Sequence, residues 1–327
     1  MESGNIFASA CKYNESVLLL NGIHKKSKAT YNGDVAMGKI VRTLSEDGSV
    51  LCSAIDSTDM VRELQRLHES TPVVTAALGR MVTAGSIMGA MLKSDGDTLT
   101  LRVNGGGPAG TLMVVADNWG NVKCCAGDDK VQIPLRENGG LDVSACVGRD
   151  GFLTVVKDMG LKEPYVGQIP LVSGNIAEDI TAYYSISEQI PTVCALGIVF
   201  NDDATVKAAG GYMVQLVPPV MDTAVDVIER NLGNMESISA MLEKGMQPEE
   251  YAMMALTGLN AEVLDSWEAV YHCDCSRERT ERVLISMGRE EIEKLAAEEQ
   301  KTEVCCHFCN KKYEFSTEEM LNLLKEK

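Results

Sequence analysis

The stretch VVTAALGRMVTAGSIMGAML, Val73–Leu92, decides what kind of fold this chain takes. Its length matches the roughly 20 apolar residues that a membrane-spanning helix needs. Arg80 stands in its middle, however, and Thr75, Thr83, Ser86 and three glycines dilute it. A helix that is apolar on every side yet made of small residues suits the inside of a globular core, so the stretch predicts a buried core helix and no membrane span.

Around that helix the pattern mixes strands with helices. Thr98–Val103 and Thr111–Val115 alternate or cluster apolar residues as strands do, and Asn118-Trp119-Gly120-Asn121 supplies turn residues. The first folded element is expected near Gly38-Lys39-Ile40-Val41-Arg42. The glycine-rich run Arg102–Gly110 lacks the Lys-Ser/Thr ending of a phosphate loop and contains Pro108, so it reads as a tight turn between strands. Cys124 and Cys125 have no histidine close to them in sequence that would mark a nucleophile pair. The expected fold class is α+β: a mixed α/β core domain over 37–219, preceded by a polar N-terminal extension over 1–36.

A formal net charge of −17 over 327 residues argues against a nucleic-acid backbone as the main ligand, because such binders present a basic face that releases counterions. The apolar run Val17–Leu20 is too short for a signal peptide, and Lys25 and Lys26 follow it instead of preceding it. A cytoplasmic location is therefore expected. Inside a cell, the 11 cysteines would be thiols or metal ligands rather than a disulfide framework.

After Pro218-Pro219 the texture changes. Met221, Val225, Ile228 and Leu232 fall at helical spacing before Gly233; Ile238, Met241 and Leu242 precede Gly245; Pro248 suits the first turn of a further helix ending at Gly258. Residues 220–267 thus read as a helical connector of short pieces near the lower limit of autonomous helix stability. Six methionines (221, 235, 241, 246, 253 and 254) lie in it. Each alone reads as core filling, but methionine adapts to many shapes, and their clustering on marginal helices points to a promiscuous binding surface, which the family resemblance given below would make a client-binding role for the connector.

The chemistry sits in residues 268–327. Cys273-Asp274-Cys275 and Cys306-His307-Phe308-Cys309 form a C-x-C and a C-x-x-C pair. Two close pairs from separate segments offer four soft donors to a tetrahedral ion, and Zn²⁺ is the natural occupant. Four thiolates close the coordination shell, so no open catalytic position is implied. His272 and His307 adjoin the ligands, but the cysteine spacing disfavours them as substitutes. Arg277, Arg279, Lys311 and Lys312 either offset the negative charge of such a site or are ordinary solvated cations. Ser316-Thr317-Glu318-Glu319 is a capping-box pattern opening a C-terminal helix with Met320, Leu321 and Leu324 as its apolar positions, and Ile292 and Leu295 mark a helix between the cysteine pairs. A module this small should depend on its metal to fold.

C-D-C-S-R-E-R together with C-H-F-C, Tyr313 and Phe315 resembles the zinc module of the 33 kDa chaperonin family, redox-regulated heat-shock chaperones. Val172-Ser173-Gly174-Asn175-Ile176-Ala177-Glu178-Asp179-Ile180-Thr181-Ala182-Tyr183-Tyr184, then Ser187-Glu188-Gln189-Ile190-Pro191, is similar to that family's core signature. The likeness begins near Gly38; the first 36 residues and Cys305 have no counterpart in it. The resemblance implies an ATP-independent holdase and no enzyme, with no catalytic residues. It implies a reduced, zinc-bound, poorly active form in which Cys273, Cys275, Cys306 and Cys309 are the ligands. It further implies that oxidation makes Cys273–Cys275 and Cys306–Cys309 disulfides, releases zinc and loosens the connector. Unfolded client proteins are the expected partners, with a homodimer as the active form. Of the two implied disulfides, the C-x-x-C one should close more readily, because a C-x-C bridge strains Cα and χ₃ geometry. The rival reading is a zinc ribbon that binds nucleic acid, which the acidic charge opposes.

Overall fold

The computed structural model describes residues 35–219, 222–298 and 301–324. Helices and strands are numbered in chain order. Strands β1 (Met37–Leu44) and β2 (Val50–Asp56) lead into helices α1 (Thr58–His68) and α2 (Pro72–Ala90). Then come β3 (Thr98–Gly106), β4 (Leu112–Asp117), β5 (Val122–Cys125), α3 (Val143–Val147), β6 (Gly148–Asp158), β7 (Tyr165–Pro170), α4 (Ala177–Tyr183), β8 (Thr192–Phe200) and β9 (Val206–Leu216). Helices α5 (Asp222–Asn234), α6 (Ile238–Glu243) and α7 (Pro248–Ala255) precede β10 (Glu262–Val270), which ends a unit closing at His272. A second unit starts at Cys273 and holds α8 (Arg277–Met287), α9 (Arg289–Glu298), β11 (Lys301–Cys305), β12 (Lys312–Ser316) and α10 (Thr317–Leu323).

The expected core helix is α2, and 94% of its most apolar window is buried. It is sandwiched between two five-stranded antiparallel sheets, ordered β10-β1-β2-β9-β8 and β5-β4-β3-β6-β7. Small residues are needed for both contacts. A Cβ at Gly79 would lie 2.4 Å from Ile198 Cδ1 of the first sheet, and one at Gly85 would lie 2.7 Å from Val114 Cγ1 of the second. Arg80 leaves this packing at a half-buried position and donates to the Asn175 carbonyl at 3.2 Å.

The second sheet shows α2 on one face and water on the other, so β3 alternates buried Leu99, Leu101 and Val103 with Thr98, Thr100 and Arg102. The first sheet is covered on both faces, by α1 and α2 and by α5, α6 and α7, and its strands lose that alternation. The signature stretch 172–184 is a structural clamp: buried Asp179 accepts the backbone N–H groups of Val172, Ser173 and Ile176 at 2.8, 2.9 and 3.0 Å.

The connector differs from its sequence reading at its end. Helix α5 runs through Gly233 to Asn234, and α5 to α7 pack Ile228, Met241, Leu242 and Tyr251 against Val50, Ala54, Tyr212 and Val214. Tyr251 donates its hydroxyl to the Ile55 carbonyl at 2.7 Å. Residues 262–267, read from sequence as the end of the helical connector, instead belong to β10, because pairing with β1 sets Asp265 opposite Arg42 and buries Trp267 opposite Ile40. Met241 is buried, Met235 and Met246 are packed on the same core, and Met253 and Met254 are exposed. The N-terminal extension, as far as residue 34, and Met221 lie outside the described residues.

Candidate metal centre

The four cysteines come from two irregular turns that the surrounding elements hold open. Cys273 and Cys275 lie just before α8, whose N-cap Ser276 accepts from the Arg279 N–H. Cys306 and Cys309 lie in the loop of the β11–β12 hairpin, where Cys306 donates its N–H to the Lys311 carbonyl at 2.9 Å and its carbonyl takes the Asn310 N–H at 2.8 Å. Asn310 turns the loop with φ 57°, the left-handed region that asparagine tolerates. Beneath them Leu284, Ile292, Tyr313, Phe315, Met320 and Leu323 make a small core. The capping box at Ser316 and Glu319 is present, but α10 buries Met320 and Leu323 while Leu321 is exposed.

One sulfur from each cysteine lies within 4.8 Å of every other, and all four residues are half-buried. Cys273 Sγ is 3.7 Å from Cys306 Sγ, and Cys275 Sγ is 3.4 Å from Cys309 Sγ. A tetrahedral ion with metal–sulfur bonds of about 2.3 Å requires sulfur–sulfur edges of about 3.8 Å, so the spacing fits. Neither His272 nor His307 belongs to the set, and Cys305 is exposed on β11, outside it.

Tyr313 donates its hydroxyl to Cys275 Sγ at 3.1 Å. Burial opposes a thiolate at Cys275, but this bond and those from the neighbouring sulfurs bring its pKa below the ordinary thiol value. Cys273 goes the other way, pushed up by burial and by Cys306; burial and Cys275 push Cys309 up to about 11. A divalent ion bound by the quartet would deprotonate its coordinating thiols.

The four nearby cations are engaged as side-chain partners in the unit. Arg277 stacks 4.2 Å from the centre of the Phe315 ring and pairs with Glu319 at 2.6 Å, Arg279 pairs with Asp274, Lys312 pairs with Glu303 at 2.9 Å, and Lys311 lies 5.3 Å from the Tyr313 ring centre. Neither the Tyr313–Cys275 bond nor the Arg277–Phe315 stack is readable from spacing, although both aromatic residues stand in the quoted motif. In the first unit, Cys124 does have a histidine in its network: Tyr271 Oη lies 3.5 Å from Cys124 Sγ and 3.4 Å from His68 Nε2. That thiol is fully buried, and burial drives its pKa far up, so the network is structural.

Fold and site together define a class: an α+β core followed by a small unit whose cysteine quartet is shaped for a tetrahedral metal. Residues 38–316 match the family described as Hsp33 protein, and the chain belongs to that family of chaperones. It is 44% identical over 287 residues to the 33 kDa chaperonin of Clostridioides difficile, covering 88% of this chain and 98% of that one. The 33 kDa chaperonin of Alkaliphilus metalliredigens is 41% identical over 288 residues, with 88% and 99% covered. The crystal structure of the 33 kDa chaperonin from Thermotoga maritima superposes with a TM-score of 0.80 at 33% identity, covering 89% of this chain and 98% of that one.

Proposed function

We propose that this chain is an ATP-independent holdase whose activity is switched by oxidation of Cys273, Cys275, Cys306 and Cys309. The observation that carries the reading is the quartet itself, four sulfurs within 4.8 Å with edges of zinc-site length. Zn²⁺ held by these four would supply the cross-link that the small core beneath them lacks. Peroxide would convert each cysteine pair to a disulfide: two thiolates lose two electrons, one S–S bond forms, and the O–O bond takes those electrons and breaks to give two hydroxide ions. Two such steps leave no thiolate donor in the site, and the unit loses its cross-link.

The pairing proposed is Cys273–Cys275 with Cys306–Cys309, and a specific observation favours a second one. The two short sulfur contacts join Cys273 to Cys306 and Cys275 to Cys309, so the first bond in the intact site could cross between the pairs. Once the unit opens, sequence-local pairing closes the shorter loops and prevails. Cytoplasmic residence, unfolded clients and a homodimeric active form complete the reading. The test is one peroxide time course that follows zinc content, disulfide mapping and suppression of client aggregation. Holding of a client by the fully reduced, zinc-loaded protein at the level of the oxidised protein would refute the switch.

A further inference from the structure

Strand β10 is the last strand before the cysteines: Tyr271 and His272 follow it, then Cys273. It is an edge strand, paired antiparallel with β1 from Met37↔Val270 to Leu44↔Glu262 and with no other described strand on its outer side. Glu262, Val263, Ser266 and Glu268 are exposed, and the ladder is interrupted by a register shift between Arg42 and Thr43. Two side chains key it to the sheet. Asp265 takes two hydrogen bonds from Arg42, the Nε one at 2.8 Å, and Trp267 is buried opposite Ile40 with its indole N–H on the Trp119 carbonyl at 2.9 Å.

Its C-terminal end crosses to the other sheet. Val270 N–H donates to Asn121 Oδ1 at 2.9 Å, His272 N–H to the Val122 carbonyl at 2.9 Å, and the Tyr271 hydroxyl takes the Cys124 N–H at 3.3 Å. The segment is thus a strap over both sheets of the first unit, and its last residue, His272, is one peptide bond from the first cysteine of the quartet.

We propose that the edge of β1 under this strap is the seat for client polypeptide. In the oxidised protein an extended client segment displaces β10 and pairs antiparallel with β1. The inference rests on the redox-holdase reading and adds where a client binds and which segments it favours. An incoming strand restores the backbone ladder that leaves with β10, so the exchange is sequence-tolerant, as strand addition to a sheet edge generally is. Two positions grade it. Arg42 asks for a carboxylate, and the space beside Ile40 asks for a bulky aromatic two residues later. The position two residues after the aromatic, opposite Gly38, is held in β10 by the fully buried Ala269 and must be small. The favoured client segment is therefore acidic, any residue, aromatic, any residue, small.

The test uses the full chain and a peptide with the nine residues of β10, EVLDSWEAV. Amide exchange of the reduced and peroxide-oxidised protein is measured alone, with the peptide and with a thermally unfolding client enzyme. Oxidation should strip protection from β10, and peptide or client should protect the β1 amides again. The peptide should bind the oxidised protein, not the reduced one, and displace client; changing its Asp and Trp to Ala should weaken displacement at least tenfold. Client holding with β10 still protected, or equal displacement by both peptides, would overturn the seat while leaving the redox switch intact. Protection of β1 in client-free oxidised dimer, lost when the peptide breaks the dimer, would assign the seat to a second copy's β10 and overturn the proposal. Failure of oxidation to induce any holding would overturn both.

Discussion

Replacing Asp265 by Ala tests what keeps β10 on the sheet. The Arg42 and Asp265 side chains are 9% and 6% exposed, and the guanidinium lies 5.1 Å from the Trp267 ring centre, so the pair is screened from water on all sides that matter. Asp265→Ala leaves the guanidinium in that site without its carboxylate. Removing one partner of a buried pair costs about 3–5 kcal/mol, and the position on an edge strand points to the lower figure, about 3 kcal/mol. At about 1.4 kcal/mol per tenfold, that shifts the unfolding equilibrium by on the order of 100-fold. With a urea slope of about 1–3 kcal/mol/M, the midpoint of the reduced, zinc-loaded protein should fall by about 1 M or more. The chain has two tryptophans, Trp119 and Trp267, joined by the indole hydrogen bond, so intrinsic fluorescence reports the transition from the right place. Arg42→Met combined with Asp265→Leu should recover most of the loss, since an apolar pair of similar volume avoids the buried charge. A midpoint unchanged by Asp265→Ala would refute the argument that this pair fastens β10.

Three further outcomes are expected. Cys306→Ser should lose zinc on dialysis against a mild chelator while Cys305→Ser keeps it, because Cys305 stands outside the quartet, exposed on β11; equal losses by elemental analysis would contradict the ligand set. Iodoacetamide at neutral pH should label Cys305 first in the native zinc-loaded protein and reach Cys52, Cys124, Cys146 and Cys194 only after unfolding, since all four are buried and burial pushes Cys52 up to about 12 and Cys146 up to about 11; mass mapping reads this. Zinc affinity of the reduced protein should rise with pH between about 6 and 9, because ligand thiols must lose their protons and a thiol raised to about 11, as at Cys309, is still protonated there; competition titration with a chromophoric chelator shows the sign.

Short-range chemistry was the legible part of this protein. The cysteine spacing pointed to the quartet because two paired donors in one small unit have few other uses, and Arg80 with the glycines marked α2 as a core helix before any contact was known. The capping box at Ser316 is likewise a local pattern, and it is present. What escaped was set by partners distant in sequence. Nothing local distinguishes β10 from the helices before it until Trp267 is seen opposite Ile40 and Asp265 opposite Arg42, more than 200 residues away in the chain. The Tyr313 bond to Cys275 and the Arg277 stack on Phe315 similarly depend on where a hairpin and a helix N-terminus meet. His68 near Cys124 was missed because Tyr271 connects them, and no spacing rule joins residues 68, 124 and 271.

The contrast between the two units explains why a thiol chemistry confined to one can matter to the other. The first unit has a continuous core around α2 with both sheets, and its closing strap is held by a buried ion pair, a buried indole and a run of backbone bonds. Among the described residues, the second has a core of seven buried residues, with helices α8 and α9 too short to persist alone and a single two-stranded hairpin. Such a unit is stable only while something ties its two cysteine turns together, and in the geometry seen here that tie is four sulfurs at zinc-site distances. On the proposed switch, oxidation removes the tie, while the buried thiols Cys52, Cys124, Cys146 and Cys194 of the first unit are shielded from the same oxidant. The fragile unit can therefore yield to oxidant while the robust one keeps its fold. The segment that feels the difference is the one that belongs to the first unit by packing and adjoins the second by a peptide bond, residues 262–272.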